Sequence, residues 1–375
     1  MSMFIIYLVL AALYLAAFIS TQPAGSVLAY RVGFALGVVG VLMIVLALGR
    51  KLPFANLPYV GDYLGWINGP LDLGPLHLAG GIFGFVNWPS GQPGAAFLFT
   101  YIGLEFLMLS VGICSDAQWV VLTRRELAAY FYSPIAYIVL VVLTMVGGVA
   151  YWLFVLDLLQ ASQRGLNPMQ PPMGVPEPIL PHYILNFIPV VSVLVMVPLI
   201  TMRLLSEEHR SGSLEVLLTA PVRESTVVIS KFLAALRFYL LAWYPWGLYL
   251  VALRVEGGEA FDYRPLLTFA IVLAVTGAGF VAMGVFFSSL SRNQIVAAIL
   301  TFVGMCFLFA IYFLKRDRGQ TGSGLNDVLT YVSYIDLWID ASYGMFAPRQ
   351  LLFHLSFAVL CLFLTVKVLE SRKWR

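Results

Sequence analysis

Charge is scarce in this sequence. Of its 375 residues only 11% are Asp, Glu, Lys or Arg, less than half the share of an ordinary soluble domain. That excludes both a solvated globular surface and a charge-driven disordered chain. Cysteine is scarce as well. Cys114, Cys306 and Cys361 all lie in or beside apolar runs, where they read as small buried side chains and say nothing of a disulfide framework. The histidines, His77, His182, His209 and His354, form no HExxH pair and no pair at metal-ligand spacing, so no metal centre is expected. No GxSxG elbow is present, and no nucleophile pairs with an obvious base. There is no Gly-Lys dipeptide anywhere in the chain, hence no Walker-type phosphate loop. No polar stretch is long enough to hold a nucleotide-binding domain either. A formal net charge of +3 without a long basic run excludes a nucleic-acid partner.

What the sequence has is apolar length. Hydrophobic residues make up 61% of it, and the mean hydropathy is +0.89. An apolar helix crosses the hydrocarbon core in about 20 residues, and helices suit that layer because each satisfies its own backbone polar groups. The expected fold is an all-α polytopic membrane protein with nine spans, near 3–20, 29–49, 95–115, 133–157, 183–202, 230–253, 265–290, 294–314 and 351–369. The first run, MFIIYLVLAALYLAAFIS, lacks a basic flank and exceeds the apolar length of a signal peptide, so it reads as a retained span. Lys and Arg mark the cytoplasmic side. Threading the spans puts Arg124, Arg125, Arg203, Arg210, Arg223, Lys231, Arg292, Lys367, Arg372, Lys373 and Arg375 on one side, eleven against seven on the other: Arg164, Arg254, Arg264, Lys315, Arg316, Arg318 and Arg349. The richer side, with residues 203–231 and the C-terminal tail, is taken as cytoplasmic. Arg50 and Lys51 run against this bias.

The chain divides near residue 116. Residues 1–116 carry about three spans and a long Gly- and Pro-rich connection, 51–94, which reads as an external loop with partial helical turns. Residues 117–375 form a six-span unit. It opens with AQWVVLTRRELAAYFYSPIAYI, in which Trp119, Val120, Leu127 and Phe131 are placed on one face and Arg124, Arg125 and Glu126 on another, an interfacial amphipathic helix. Pro134 sits at the start of the following span. Between the second and third spans of this unit lies SEEHRSGSLEVLLTAPVRESTVVISK, residues 206–231. Ser211 or Ser213 can cap a helix carrying Glu215 in its first turn. Leu214, Leu217 and Leu218 form one short apolar stripe that Pro221 ends. Glu207 and Glu208 read as partly exposed charges leading into it. Ser225 or Thr226 starts the next helix, which enters the membrane at Lys231. A short apolar stripe flanked by charge suits docking into a groove on a soluble partner.

The order and spacing of RRELAAYFYSPIAYI, EEHRSGSLEVLLTAPV, SLSRNQ and LSFAVLCLFLTVKVLESRKW closely resemble the permease subunits of ABC type-2 exporters, particularly the gliding-motility-like branch. The resemblance covers about 117–375 and leaves 1–116 as an extra N-terminal region. It implies a six-span permease core with an interfacial helix before the first span. A coupling helix near 206–220 would seat in a cleft on a separate cytoplasmic ATPase subunit. The matching positions are Glu207, Glu208, His209, Arg210, Ser211, Gly212, Ser213, Leu214, Glu215, Leu217 and Leu218. The loop at 315–350 is implied to carry short external or re-entrant helices. ATP and Mg would be held by the partner ATPase and no cofactor by this chain. Two ATPase copies and a second permease chain, identical or not, would complete a multi-pass assembly in the cytoplasmic (inner) membrane. Against this stand an ion-coupled carrier, for which Glu105 is the one carboxylate deep in an expected span and Arg237 a cation two turns into another, and a non-transporting membrane scaffold.

Overall fold

The computed structural model describes residues 27–49, 71–73, 76–78, 94–165, 180–184, 187–212, 223–255, 264–316 and 324–373. The expected span at 3–20 lies outside them. The described residues fall into two compact units, one within Pro23–Ser115 together with Asp262–Leu267, the other within Asp116–Phe261 and Thr268–Arg375.

In the first unit, helix α1 (Val27–Gly49) packs antiparallel on α2 (Gly94–Cys114). Gly33 faces Ile113 and Cys114, Gly37 faces Ser110, and Gly40 meets the backbone of Gly103 and Leu107. A stripe of small residues lets two apolar helices approach to backbone contact, where dispersion replaces a missing hydrophobic drive. The side chain of Glu105 lies outside the described residues. In the connection between these helices the described residues form a two-stranded ladder, β1 (Leu71–Leu73) antiparallel to β2 (Leu76–Leu78), with Leu71 opposite Leu78 and Leu73 opposite Leu76; the helical turns expected in 51–94 lie outside the described residues. The period-two alternation LDL-GP-LHL, with a two-residue breaker between, is a hairpin signal.

The second unit contains six spans long and apolar enough to cross a membrane, of which the second, Ile188–Ser211, runs through α6 and on through the short helix after it; its long helices are α4 (Pro134–Gly165), α6 (Phe187–Thr201), α8 (Glu224–Val255), α9 (Arg264–Leu290, in this unit from Thr268), α10 (Gln294–Arg316) and α13 (Pro348–Lys373). Shorter elements are α3 (Gln118–Tyr132), α5 (Leu180–Ile184), α7 (Ser206–Ser211), α11 (Gly324–Val332) and α12 (Tyr334–Ser342). The expected span 183–202 corresponds to α6, with the short α5 before it and residues 185–186 outside the described ones. Local chemistry explains several boundaries. Pro134 forces the residue before it out of helical space, and Ser133 is extended at φ −92°, ψ 129°, so α3 stops and α4 starts one residue apart. Gly212, left-handed at φ 73°, ends α7 as a C-cap glycine does. Asn293 Oδ1 accepts the amide of Ile295 at 2.9 Å and opens α10, and Ser333 Oγ accepts the amide of Asp336 and opens α12.

Helix α9 is the axis of this unit. Of its most apolar window 72% is buried, against 22% for α10 and 28% for α13, which leaves the last two with broad apolar outer faces. Small residues make the central position possible. Gly277 lies under the Tyr239 ring of α8, Gly284 against the Thr201 side chain of α6, and Gly279 near the His354 carbonyl of α13. At one end of the bundle α12 is driven inward. Trp338 is fully buried, donates from Nε1 to Thr276 Oγ1 at 3.1 Å, and packs edge-on against Trp243, Phe269 and Tyr334.

A Cβ at position 284 has no space without displacing Thr201. Gly284→Ala should therefore lower the thermal unfolding midpoint of the detergent-solubilised protein, at an overpacking cost of about 1–3 kcal/mol. Gly247→Ala in α8, where nothing lies within 4 Å, should be neutral or stabilise by up to about 1 kcal/mol. Equal midpoints for the two variants would remove α9 from its role as the close-packed axis.

Candidate functional site

The end of the bundle that gathers α3, α7 and the starts of α4 and α8 carries the densest polar chemistry among the described residues. At its centre is Lys231, in the second turn of α8 and only 2% exposed. Its Nζ donates to Glu126 Oε2 of α3 at 2.8 Å and to Glu208 Oε1 of α7 at 2.6 Å. Arg125 reaches the other oxygen of Glu126 at 3.0 Å. The result is a chain of alternating sign, Arg125, Glu126, Lys231, Glu208, in which each buried charge faces an opposite one, the condition under which burial is tolerable. Burial alone pushes the Glu126 carboxyl up, but Lys231, helped by Arg125, holds it below its usual value.

Beside this chain Arg203 makes a forked contact with Glu207, Nε to Oε2 at 2.9 Å and Nη2 to Oε1 at 3.3 Å. Its Nη1 donates to Ser133 Oγ at 2.6 Å, which ties the α6–α7 turn to the α3–α4 break. The first amides of α7 are also satisfied from a distance, because Leu205 at the N-cap has no oxygen to offer. Ser288 Oγ of α9 accepts from the amides of Leu205 and Ser206 at 3.1 and 3.2 Å. Arg372 of α13 donates from Nη2 to the Ser289 carbonyl at 2.9 Å, a cation at the negative end of α9. Aromatic packing completes the junction, with Tyr130 of α3 stacked on Phe238 of α8 at 4.9 Å and its hydroxyl donating to the Ile200 carbonyl at 2.8 Å.

The residues singled out from the sequence divide as follows. Glu207, Glu208 and His209 are half-buried on α7, while Arg210, Ser211 and Gly212 are exposed. Ser213, Leu214, Glu215, Leu217 and Leu218 lie outside the described residues. Two of these readings, on Glu208 and on Arg124, are corrected. Ser211 is the last residue of α7, with its hydroxyl bonded to the Glu208 carbonyl; the helix that Ser211 or Ser213 was expected to cap lies outside the described residues, and α7 itself starts at Ser206 with distant Ser288 accepting its first amides. Glu208 is committed to Lys231, whereas Glu207, 46% exposed, keeps the solvated character expected of both. Arg124 is buried on the same face as Val120, Leu127 and Phe131, since spacings of four, three and seven residues return to one side of a helix; Trp119 is exposed. Helix α8 starts at Glu224, beside the Ser225 or Thr226 expected to open it, and Lys231, expected at the membrane entry, is an interior partner of two carboxylates. No local pattern in the sequence could have found it, because its partner Glu126 is 105 positions away.

Two measurements follow. Breaking a buried ion pair by removing one partner costs about 3–5 kcal/mol. Because Glu126 and Glu208 keep 13% and 22% exposure, Lys231→Met is expected near the lower figure. Arg203→Met, opposite a half-exposed carboxylate, should cost about 0–1 kcal/mol. Adding Glu126→Gln and Glu208→Gln to Lys231→Met should recover most of the loss, since what destabilises is the uncompensated charge. In the pH direction, a carboxylate held below its unfolded value contributes stability that is complete above that value and fades as pH falls through the folded one. The part of the stability that Glu126 contributes should thus fade below about pH 4.3, whereas Glu208, whose carboxyl burial pushes up, acts with the opposite sign, so the midpoint should fall less steeply with acid in Glu126→Gln than in the unaltered protein. Parallel pH profiles for the two proteins would remove Glu126 from the acid response.

The six apolar spans and the polar junction at one end can now be set beside known proteins. A comparison with curated proteins gives no match. A family model described as "ABC-2 family transporter protein" matches residues 156–367. That stretch runs from within α4 into α13 and takes in α7, the turn carrying Arg203, Lys231 and both short helices α11 and α12. It is more than half of the chain, and the protein therefore belongs to the ABC-2 transporter family, as a multi-pass membrane permease.

Proposed function

We propose that this chain is the transmembrane permease subunit of an ATP-driven exporter of the gliding-motility-like branch. Two copies of a cytoplasmic ATPase would bind ATP and Mg and supply the energy, and a second permease chain would pair with this one. The side bearing α3, α7 and the C-terminal tail is cytoplasmic, and the segment Glu207–Leu218 seats on the ATPase. The permease family supports the partnership, and one observation supports the coupling role: Lys231 fastens α7 to both α3 and α8. A push delivered to α7 from below is therefore shared at once by the interfacial helix and the third span of the unit. The apolar outer faces of α10 and α13 are surfaces for lipid and for a second permease chain. Residues 1–116 add about three spans. Helices α1 and α2, at 23 and 21 residues, reach about 30 Å or more at 1.5 Å per residue, enough for the hydrocarbon core.

Purified alone, the chain should hydrolyse no ATP, and activity should appear only with a separate ATPase co-purified from the native membrane. Within that complex Leu217→Asp sets an unpaired carboxylate in the docking groove at about 1–3 kcal/mol or more, so ATPase association should weaken about fivefold at the least, with normal permease levels. Robust hydrolysis by the isolated chain, transport that follows a proton gradient without ATP, or unchanged ATPase binding in Leu217→Asp would each overturn the reading.

A further inference from the structure

Nothing in the chain between Leu199 and Ser211 breaks a helix. The stretch LITMRLLSEEHRS holds no glycine and no proline, and Leu, Met, Arg and Glu are good helix formers. Yet within the span Ile188–Ser211 the helix is interrupted at 202–205, and Leu205 stands at φ −120°, ψ −31°, well away from helical backbone. In a continuous helix the amides of Leu204, Leu205 and Ser206 would donate to the carbonyls of Ile200, Thr201 and Met202. Hydroxyls from other elements have taken over that ladder. The Leu204 amide slips to the Thr201 carbonyl at 3.2 Å, and the Ile200 carbonyl accepts the Tyr130 hydroxyl of α3 at 2.8 Å. The amides of Leu205 and Ser206 donate to Ser288 Oγ of α9 at 3.1 and 3.2 Å. The Ser288 hydroxyl donates in turn to the Met202 carbonyl at 3.3 Å. A serine hydroxyl has one donor and two acceptor sites, and all three sites of Ser288 go to this one turn.

We propose that the turn between α6 and α7 is a two-state joint: Ser288 and Tyr130 hold one helical turn unwound, and their release lets α6 and α7 wind into a single helix. Both are positioning residues for α7. Each arrangement satisfies the same backbone groups. In the unwound state the partners are the two hydroxyls; in the wound state the amides of Leu204, Leu205 and Ser206 return to the carbonyls four residues back. A side chain inserted into that ladder is a known cause of a local break, and a bond of the three-residue kind, as from Leu204 to Thr201, marks hinges within helices. The local sequence favours winding. Arg203 and Glu207, four positions apart and paired at 2.9 Å, are neighbours on a continuous helix as well, so that ion pair does not oppose it. What opposes it comes from outside the span, from Ser288 of α9, Tyr130 of α3 and the Lys231 contact to Glu208. Two discrete arrangements of one element, biased by contacts at its flanks, are the elements from which switches are built. A displacement of α7 is then taken up by winding this turn, with α6 deeper in the bundle left in place.

The test needs the full-length permease alone, so the joint stands or falls independently of the ATPase reading. Amide hydrogen exchange is followed residue by residue at Leu205 and Ser206 in detergent-solubilised protein. A cavity lined in part by Arg203, Leu204 and Glu207 reaches this turn, so an amide left unpaired there is open to exchange. If Ser288 were only a cap, Ser288→Ala would strip both amides of their partner and speed their exchange at least about tenfold, a loss of about 1.4 kcal/mol. In a two-state joint the same variant winds the turn, the amides pass to the Thr201 and Met202 carbonyls, and exchange stays at or below the rate of the unaltered protein. Met202→Gly supplies the converse, because glycine weakens a wound turn and is tolerated in an unwound one. Alone it should leave the two amides unchanged; added to Ser288→Ala it should speed them about fivefold. Tenfold faster exchange in Ser288→Ala alone, or an equal effect of Met202→Gly with and without Ser288, would overturn the proposal.

Discussion

One ammonium group organises the polar end of this protein. Lys231 is almost wholly withdrawn from water, a placement that is prohibitive for a lone cation. It persists because two carboxylates from two other elements converge on it within 3 Å and because Arg125 balances the extra negative charge. The geometry is demanding in both directions. Glu126 and Glu208 are held where the lysine needs them, and α3 and α7 are held where the carboxylates are. A surface ion pair would impose no such constraint, since solvent would screen it and either partner could swing away.

The same end is fastened by backbone groups satisfied from afar. Helix termini leave amides and carbonyls unpaired, and near a membrane those groups lack easy access to water. The start of α7 takes Ser288 from α9, and the end of α9 takes Arg372 from α13. Deeper in the bundle the fastening changes kind. There α9 meets its neighbours through Gly277, Gly279 and Gly284, and contact distance does the work of hydrogen bonds. A displacement of α7 is thus resisted by directional polar contacts at the end and carried inward along a close-packed helix. Rigid elements that move as units between discrete packings are what switching proteins are built from.

The six spans after residue 133 were legible in the sequence because a run of about 20 apolar residues has few alternatives, and the break at Ser133 because proline restricts the residue before it. The short helices α11 and α12 match what the family resemblance implies for 315–350. What escaped was set by tertiary distance or by misread periodicity. Ser288 and Lys231 act on residues 82 to 105 positions away, and no window detects that. Arg124 was legible and misplaced: it lies four residues after Val120 and three before Leu127, so helical spacing already put it on the buried face. The pair Gly33 and Gly37 carries the small-residue spacing of a close helix contact, and the alternation in LDLGPLHL carries a hairpin; both were masked by the greater salience of apolar length and of Gly and Pro as breakers.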